Sequence, residues 1–293
     1  IMKLALGTVQ FGLQYGVANI NGQVSEDIAA EILSISKTAG IDTLDTAVAY
    51  GDSENCLGNI GVNDWRIFTK IPSIPINCLE VSQWGRKQFE DSLERLNVDC
   101  ITGLMLHNPM QLLEGRGKEI WDFLTQLKLN KKVEKIGFSI YGPSELDMLW
   151  KDYQPDIVQA PFNILDQRMK KTGWFDKLNN NNVELHIRSV FLQGLLLMNT
   201  DDRSKNFNQW NYIWEKLDSW LTENNLTPLE AALGYVLNEK SVDRVIVGVD
   251  TVKQLEEVLA VSENVINTSL NDYLAQISTD DEKLINPSNW SDL

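Results

Sequence analysis

The stretch RVIVGVDTVKQLEEVL, residues 244–259, holds a complete structural unit in one short segment. Val245, Ile246 and Val247 form a β-branched run of the kind that fills a strand buried on both faces. Gly248 breaks it. Thr251 followed three residues later by Gln254 carries the signature of a helix capping box. Leu255 and Leu259 then recur one helical turn apart. The segment reads as strand, tight loop and amphipathic helix.

The same alternation runs the length of the chain. Strand-like segments fall at LALGT (4–8), TLDT (43–46), RIFTK (66–70), ITGLML (101–106), KIGFS (135–139), IVQA (157–160), ELHIRS (184–189) and RVIVG (244–248). Helical patterns separate them, such as Phe89, Leu93 and Leu96, and a second capping box with proline at its first helical position opens at Thr227-Pro228-Leu229-Glu230. Strands joined through helices run parallel, and eight such units close into an α/β fold of the (β/α)8 TIM-barrel type. The rival doubly wound sheet is disfavoured because no GxGxxG follows the first strand. No linker interrupts residues 1–293, so one barrel domain is expected. The Trp-, Asn- and Asp-rich segment 200–225 reads as an inserted helix and loop, Asn179 to Asn182 as a surface turn, and the tail from about 264 as a terminal helix with an irregular end.

Composition narrows the function classes. Of 293 residues 43% are hydrophobic, and 41 acidic residues against 26 basic ones give a net charge of −15. Such a surface repels polyphosphate, which argues against nucleic acid or an anionic membrane as partner. No apolar run approaches the roughly 20 residues of a membrane span. Cys56, Cys78 and Cys100 show no CxxC spacing and fit a reduced, cytoplasmic setting. With only His107 and His186 available, no histidine-rich metal site is expected.

Chemistry in a TIM barrel sits where the strands end in the βα loops. The second strand ends at Asp45 with Tyr50 in its loop, the third at Lys70, and the fourth at His107. Each has an ordinary alternative: a cap, a packed ring, a solvated ammonium, a loop histidine. Together, on three consecutive strands, they suggest a shared task. A phenol with an ordinary pKa near about 10 donates protons poorly at neutral pH. A neighbouring ammonium, held by a carboxylate, is expected to pull that value down. His107 would fix a substrate carbonyl, and a hydride carrier would complete a reduction.

At these residues the sequence resembles the aldo-keto reductase superfamily over nearly its whole length. The matching stretches are LGTVQFG, LDTAVAYGDSENCLG, FTKI, LMLHNP, KIGFS, VQAPFNILDQR, RSVFLQGLLL and VIVGVDTVKQLEEV. The resemblance implies a catalytic tetrad of Asp45, Tyr50, Lys70 and His107, with Tyr50 as proton donor, and NADPH or NADH as cofactor. It also implies that Ser139 and Gln159 bind the nicotinamide carboxamide, and that Ser189, Gln193 and Gly194 strap the pyrophosphate. The adenosine end is expected between Gly248 and Glu257, with Gln254 and Glu257 near the adenine and the helix after Thr251 offering free N–H groups to an anion.

Three positions depart from the family pattern. Ile140 stands where asparagine is common. Arg188 replaces the aromatic residue that stacks on the nicotinamide, which brings a positive charge beside the ring. Asp250 stands where an arginine often grips the 2′-phosphate, so that grip looks weakened, with Lys253 one turn on as a candidate rescue. The expected activity is NAD(P)H-dependent reduction of an aldehyde or ketone. A nucleotide-binding sensor with slow turnover is the alternative reading, and a different barrel hydrolase or isomerase a third. The opening LGTVQFGLQYGVAN resembles a bacterial branch linked to sugar and polysaccharide modification, which implies a small carbonyl substrate of sugar type. Tyr141, Phe162, Arg168, Trp210 and Trp214 are candidate pocket residues. The family default is a monomer.

Overall fold

The computed structural model describes residues 2–264 and 270–292. Eight strands appear where the sequence places them: β1 (Leu4–Gly7), β2 (Thr43–Asp45), β3 (Arg66–Ile71), β4 (Ile101–Leu106), β5 (Val133–Ser139), β6 (Ile157–Pro161), β7 (Glu184–Arg188) and β8 (Arg244–Val247). Each pairs in parallel with its sequence neighbours, and β8 closes back on β1 through Leu4↔Val245, Ala5↔Ile246 and Leu6↔Val247. The result is a (β/α)8 barrel. The long helices Glu26–Thr38, Val81–Leu96 and Gly117–Leu129 lie between strands, Val252–Glu263 follows the last strand, and each buries one stripe, as with Leu255 and Val258 in the last.

The inserted segment holds short 3-10 turns and then the helix Asn211–Asn224. Its tryptophans do not reach the barrel mouth. Trp210 and Trp214 are buried, and Phe162 is fully buried against Phe175 and Tyr235. The capping box at Thr227 is complete: its hydroxyl accepts from Glu230 N, and Glu230 Oε2 accepts from Thr227 N. The one at Thr251 is half-formed. Thr251 Oγ1 accepts from Gln254 N, but Gln254 Oε1 accepts from Asp250 N, one residue earlier than the motif implies. Asn179 and Asn180 belong to the end of the helix Trp174–Asn180, so the expected surface turn is only Asn181 and Asn182, the latter in the left-handed region that asparagine tolerates. Beyond 264 the described segments are Leu270–Ile277, Glu282–Ile285 and Pro287–Asp292, while residues 265–269 of the expected tail lie outside the described residues.

The two ends of the barrel differ in chemistry. At the end where the strands begin, His186 is fully buried and its Nε2 lies 2.7 Å from Glu184 Oε1, which also faces Lys135 and Arg66 across the interior. The other histidine is at the opposite end, among the βα loops.

Candidate active site

Two backbone hydrogen bonds and one serine hydroxyl fix the loop that carries Tyr50. Thr46 N donates to Phe68 O and Val48 N to Lys70 O, so the chain leaving β2 stays bonded to β3. Ser53 Oγ donates to Thr8 O and lies within hydrogen-bond distance of the Thr8 and Thr46 hydroxyls. Gly51 adopts φ +57°, and a Cβ there would stand 2.6 Å from Gly12 O. A side chain at Gly12 would in turn run into Tyr50 O. The first and second βα loops therefore interlock through paired glycines, and the interlock aims the tyrosine ring.

Beneath that ring lies a saturated ammonium. Lys70 is fully buried, and its Nζ donates to Asp45 Oδ1 (2.8 Å), Asp45 Oδ2 (2.9 Å), Thr46 O (2.9 Å) and Tyr50 OH (3.3 Å). Burial by itself would lower the lysine pKa, but the Asp45 carboxylate, and then Tyr50, outweigh it and the net shift is upward. Tyr50 moves opposite to the expectation from sequence. Burial raises its pKa, and the nearby Lys70 offsets that only in part, so the phenol keeps its proton at neutral pH. The His107 ring stands edge-on to Tyr50, centroids 5.9 Å apart at 82°. Burial first, then the charges of Lys70 and Arg188, push the imidazole down to about 4, so it is neutral near pH 7.

A cavity of about 550 Å³ opens above these groups, within the roughly 300–1,000 Å³ range of ligand sites. Asp45, Tyr50, His107, Ser139 and Arg188 line its deep end; Gly248, Asp250, Gln254 and Glu257 line the far end, with Ser189, Gln193 and Gly194 along the wall. Several expected site residues stand outside it. Gln159 is fully buried under the floor, donating to Asp45 Oδ1 at 2.6 Å and facing Ser139 Oγ at 3.4 Å. Thr251 caps the last helix, and the Lys253 side chain is 84% exposed, 3.8 Å from Glu257. Arg168 is bound away from the cavity by Asp166, Tyr141 O and Glu282.

The seventh loop runs through left-handed conformations at Leu192, Gln193 and Gly194. It meets the first loop across the mouth: Gln193 Nε2 donates to Tyr15 OH, and a Cβ on Gly194 would stand 2.6 Å from Ala18 Cβ. Asn19 Nδ2 joins the first loop to the eighth by donating to Asp250 Oδ1 at 3.1 Å. Sequence reasoning missed this involvement of the first loop, although QYGVANING carries the glycine and asparagine pattern of a structured turn. It also missed Pro287 and Ser288 on the cavity wall, for which no local signal exists.

The donor set suits a dinucleotide. A serine hydroxyl stands at the deep end, a glycine-bearing strap runs along the wall, and the N-terminus of Val252–Glu263 lies by the far end. A family model, the Aldo/keto reductase family, matches residues 3–279. The chain belongs to that family. As an aldo/keto reductase it is an NAD(P)H-dependent oxidoreductase. It is 25% identical over 271 residues to aldo-keto reductase str7 of Strobilurus tenacellus, covering 83% of this chain and 77% of that protein. It is 28% identical over 218 residues to the L-glyceraldehyde 3-phosphate reductase of Escherichia coli O157:H7, covering 64% and 60%. Against the NADH-specific methylglyoxal reductase of Escherichia coli K12 the identity is 22%, covering 93% and 92%. Among solved structures, the holo form of aldo-keto reductase AKR11C1 from Bacillus halodurans shares the fold with a TM-score of 0.75 at 20% identity, covering 94% of this chain and 92% of that one.

The neutral imidazole of this reductase has a stability consequence. Between pH 6.5 and about 4 the unfolded chain protonates His107 while the folded chain does not, so stability rises with pH in that window. Urea unfolding of the wild type and His107→Asn should show a stability difference that moves against the wild type as pH falls from 6.5 to 4. A difference that moves toward the wild type under acid would refute the neutral assignment.

Proposed function

We propose that this reductase converts an aldehyde or ketone to an alcohol with Tyr50 as proton donor, and that Asp45, Lys70 and His107 complete its catalytic group. One observation carries the reading. An ammonium has three N–H groups and no acceptor, and those of Lys70 are shared among Asp45, Thr46 O and Tyr50 OH. Lys70 therefore donates to the phenol oxygen, and the phenol's own hydrogen is left to point elsewhere, toward the cavity that Tyr50 lines.

Tyr50 is protonated at rest and so is loaded for reduction. As its proton passes to the carbonyl oxygen, negative charge grows on the phenol oxygen, where Lys70 already stands. That is charge stabilisation without reorganisation. Asp45 keeps the ammonium charged in a buried setting, and Gln159 holds Asp45 from below. His107, neutral, offers a ring N–H to the same carbonyl oxygen. The nicotinamide cofactor supplies the hydride when bound. Ser139 is the cavity residue placed for its carboxamide, with Ser189, Gln193 and Gly194 placed for the pyrophosphate and Gln254 and Glu257 for the adenosine. No observation favours the sensor reading.

The far end of the cavity supports a weakened hold on a 2′-phosphate. Asp250 is held at the mouth by Asn19, and Lys253 points into solvent rather than into the cavity. A carboxylate about 4 Å from a phosphate costs about 1 kcal/mol even in water. A relative named as NADH-specific fits the same reading. The name of the glyceraldehyde 3-phosphate reductase and the sugar-linked motif point to a small polar carbonyl substrate.

Two experiments test this. Nine tryptophans report cofactor binding by fluorescence. Tyr50→Phe should lower kcat/KM for a small aldehyde by about 10²–10⁴-fold while the cofactor dissociation constant holds; equal loss of both would remove Tyr50 from the donor role. NADH and NADPH should bind within about tenfold of each other, a gap of about 1.4 kcal/mol, and NADPH binding a hundredfold tighter would contradict the assignment of Asp250.

A further inference from the structure

Arg188 ends β7 at the deep end of the cavity, and its charge finds no carboxylate within 4 Å among the described residues. Its described bonds are to neutral groups: NH2 donates to Ile140 O at 2.9 Å and NH1 to Ser189 Oγ at 3.2 Å. The guanidinium carbon lies 5.0 Å from the centroid of the Tyr141 ring. A guanidinium has five N–H donors, so these two bonds leave others free. The group is held in a fixed plane by a ring, a carbonyl and a hydroxyl, in a chain with a large acidic surplus, and no described carboxylate bonds to it directly.

Lys70 and Asp45 form a closed pair and cancel, and the half-buried Glu145, close enough to feel the Arg188 charge, spends its Oε2 on Tyr141 N rather than on the guanidinium. Arg188 thus brings to this end a cation with no directly bonded carboxylate, while Asp250 and Glu257 make the far end negative. The guanidinium also leans a definite way. From β7 its NH2 reaches across to Ile140 O and its carbon faces the Tyr141 ring, both following β5, while NH1 is tied at the start of the strap by Ser189 Oγ. Tyr50 and His107 follow β2 and β4. Arg188 lines the same cavity as Tyr50 and His107 and its charge acts on both, so its free donors stand at the end where the carbonyl compound must sit.

We infer that Arg188 is a specificity-determining residue that selects carbonyl substrates carrying an anionic group, a carboxylate or a phosphate, a few bonds from the reacting carbon. The inference rests on the carbonyl-reductase reading and names its substrate class. An oxyanion would complete the guanidinium's bonding and supply a directly bonded counterion, which is the pairing that planar donors favour. The backbone carbonyl of Ile140 orients the Arg188 side chain.

The test compares matched pairs: succinic semialdehyde with butanal for the carboxylate, and glyceraldehyde 3-phosphate with glyceraldehyde for the phosphate. For each enzyme the ratio of kcat/KM, anionic over neutral, is read. In the wild type at least one pair should give a ratio of about thirtyfold, the strength of a charge-assisted bond, and the pair that does so identifies the anion. Arg188→Met should bring that ratio to within threefold of unity, through KM, and Arg188→Lys should restore part of it. Cofactor dissociation constants from tryptophan fluorescence should agree among the three within threefold. A ratio near unity in the wild type, or one that Arg188→Met leaves in place, overturns the inference. So does a tenfold loss of cofactor affinity in Arg188→Met with the ratio unchanged, which would hand Arg188 to the pyrophosphate. Turnover of neutral aldehydes with no anionic preference overturns this inference alone. Absence of turnover with any carbonyl compound overturns the carbonyl-reductase reading and this inference with it.

Discussion

The site depends on one buried ion pair. Lys70 and Asp45 stand 2.8 Å apart at the ends of adjacent strands, both buried, with Asp45 at the cavity floor. Two charges taken from water recover the cost only when their geometry is good and every remaining donor and acceptor is used. That condition is met: Thr46 O and Tyr50 OH take the other lysine donors, and Gln159 supplies the carboxylate's further bond. The parallel register makes it possible, since β2 and β3 deliver Asp45 and Lys70 to the same side of the barrel. Tyr50 inherits its partner from this arrangement, and the glycine interlock between the first two loops decides where its ring goes.

Charge is distributed along the cavity with the same economy. The end that Tyr50 and His107 line carries Arg188, which no described carboxylate bonds directly, and the far end keeps carboxylates at Asp250 and Glu257. Asp250 does a second job, since its bond to Asn19 ties the eighth loop to the first. The residue that argues against a strong 2′-phosphate hold is thus also part of the mouth's construction. Loops one, seven and eight meet there, whereas the tetrad candidates belong to loops and strands two to four.

The barrel was legible because its signals are local. Runs such as Val245–Val247 and helix starts such as Thr227–Glu230 state their structure without reference to distant residues, and all eight strands fall where periodicity puts them. Asp45, Tyr50, Lys70 and His107 were legible because strand ends in a barrel share one mouth. What could not be read were distances between loops. Nothing near Asp250 says that Asn19 will bond to it, and nothing near Arg188 says that its guanidinium will turn toward Ile140. The Tyr50 pKa was misjudged for a related reason. The sequence names its neighbour Lys70 but not the depth of burial, and burial dominates. Likewise Trp210 and Trp214 advertise aromatic surface, but only the packed fold shows that it fills the core.

The central claim is that Lys70 and Asp45 act on Tyr50 as a single unit. A double-mutant cycle on the reduction rate at saturating cofactor, using Lys70→Met, Asp45→Asn and the double variant, tests it directly. The account predicts that each single change costs about 10²–10⁴-fold and that the double variant is no slower than the worse single one. Losses that multiply would contradict it, because they would mean that the two residues serve the reaction independently.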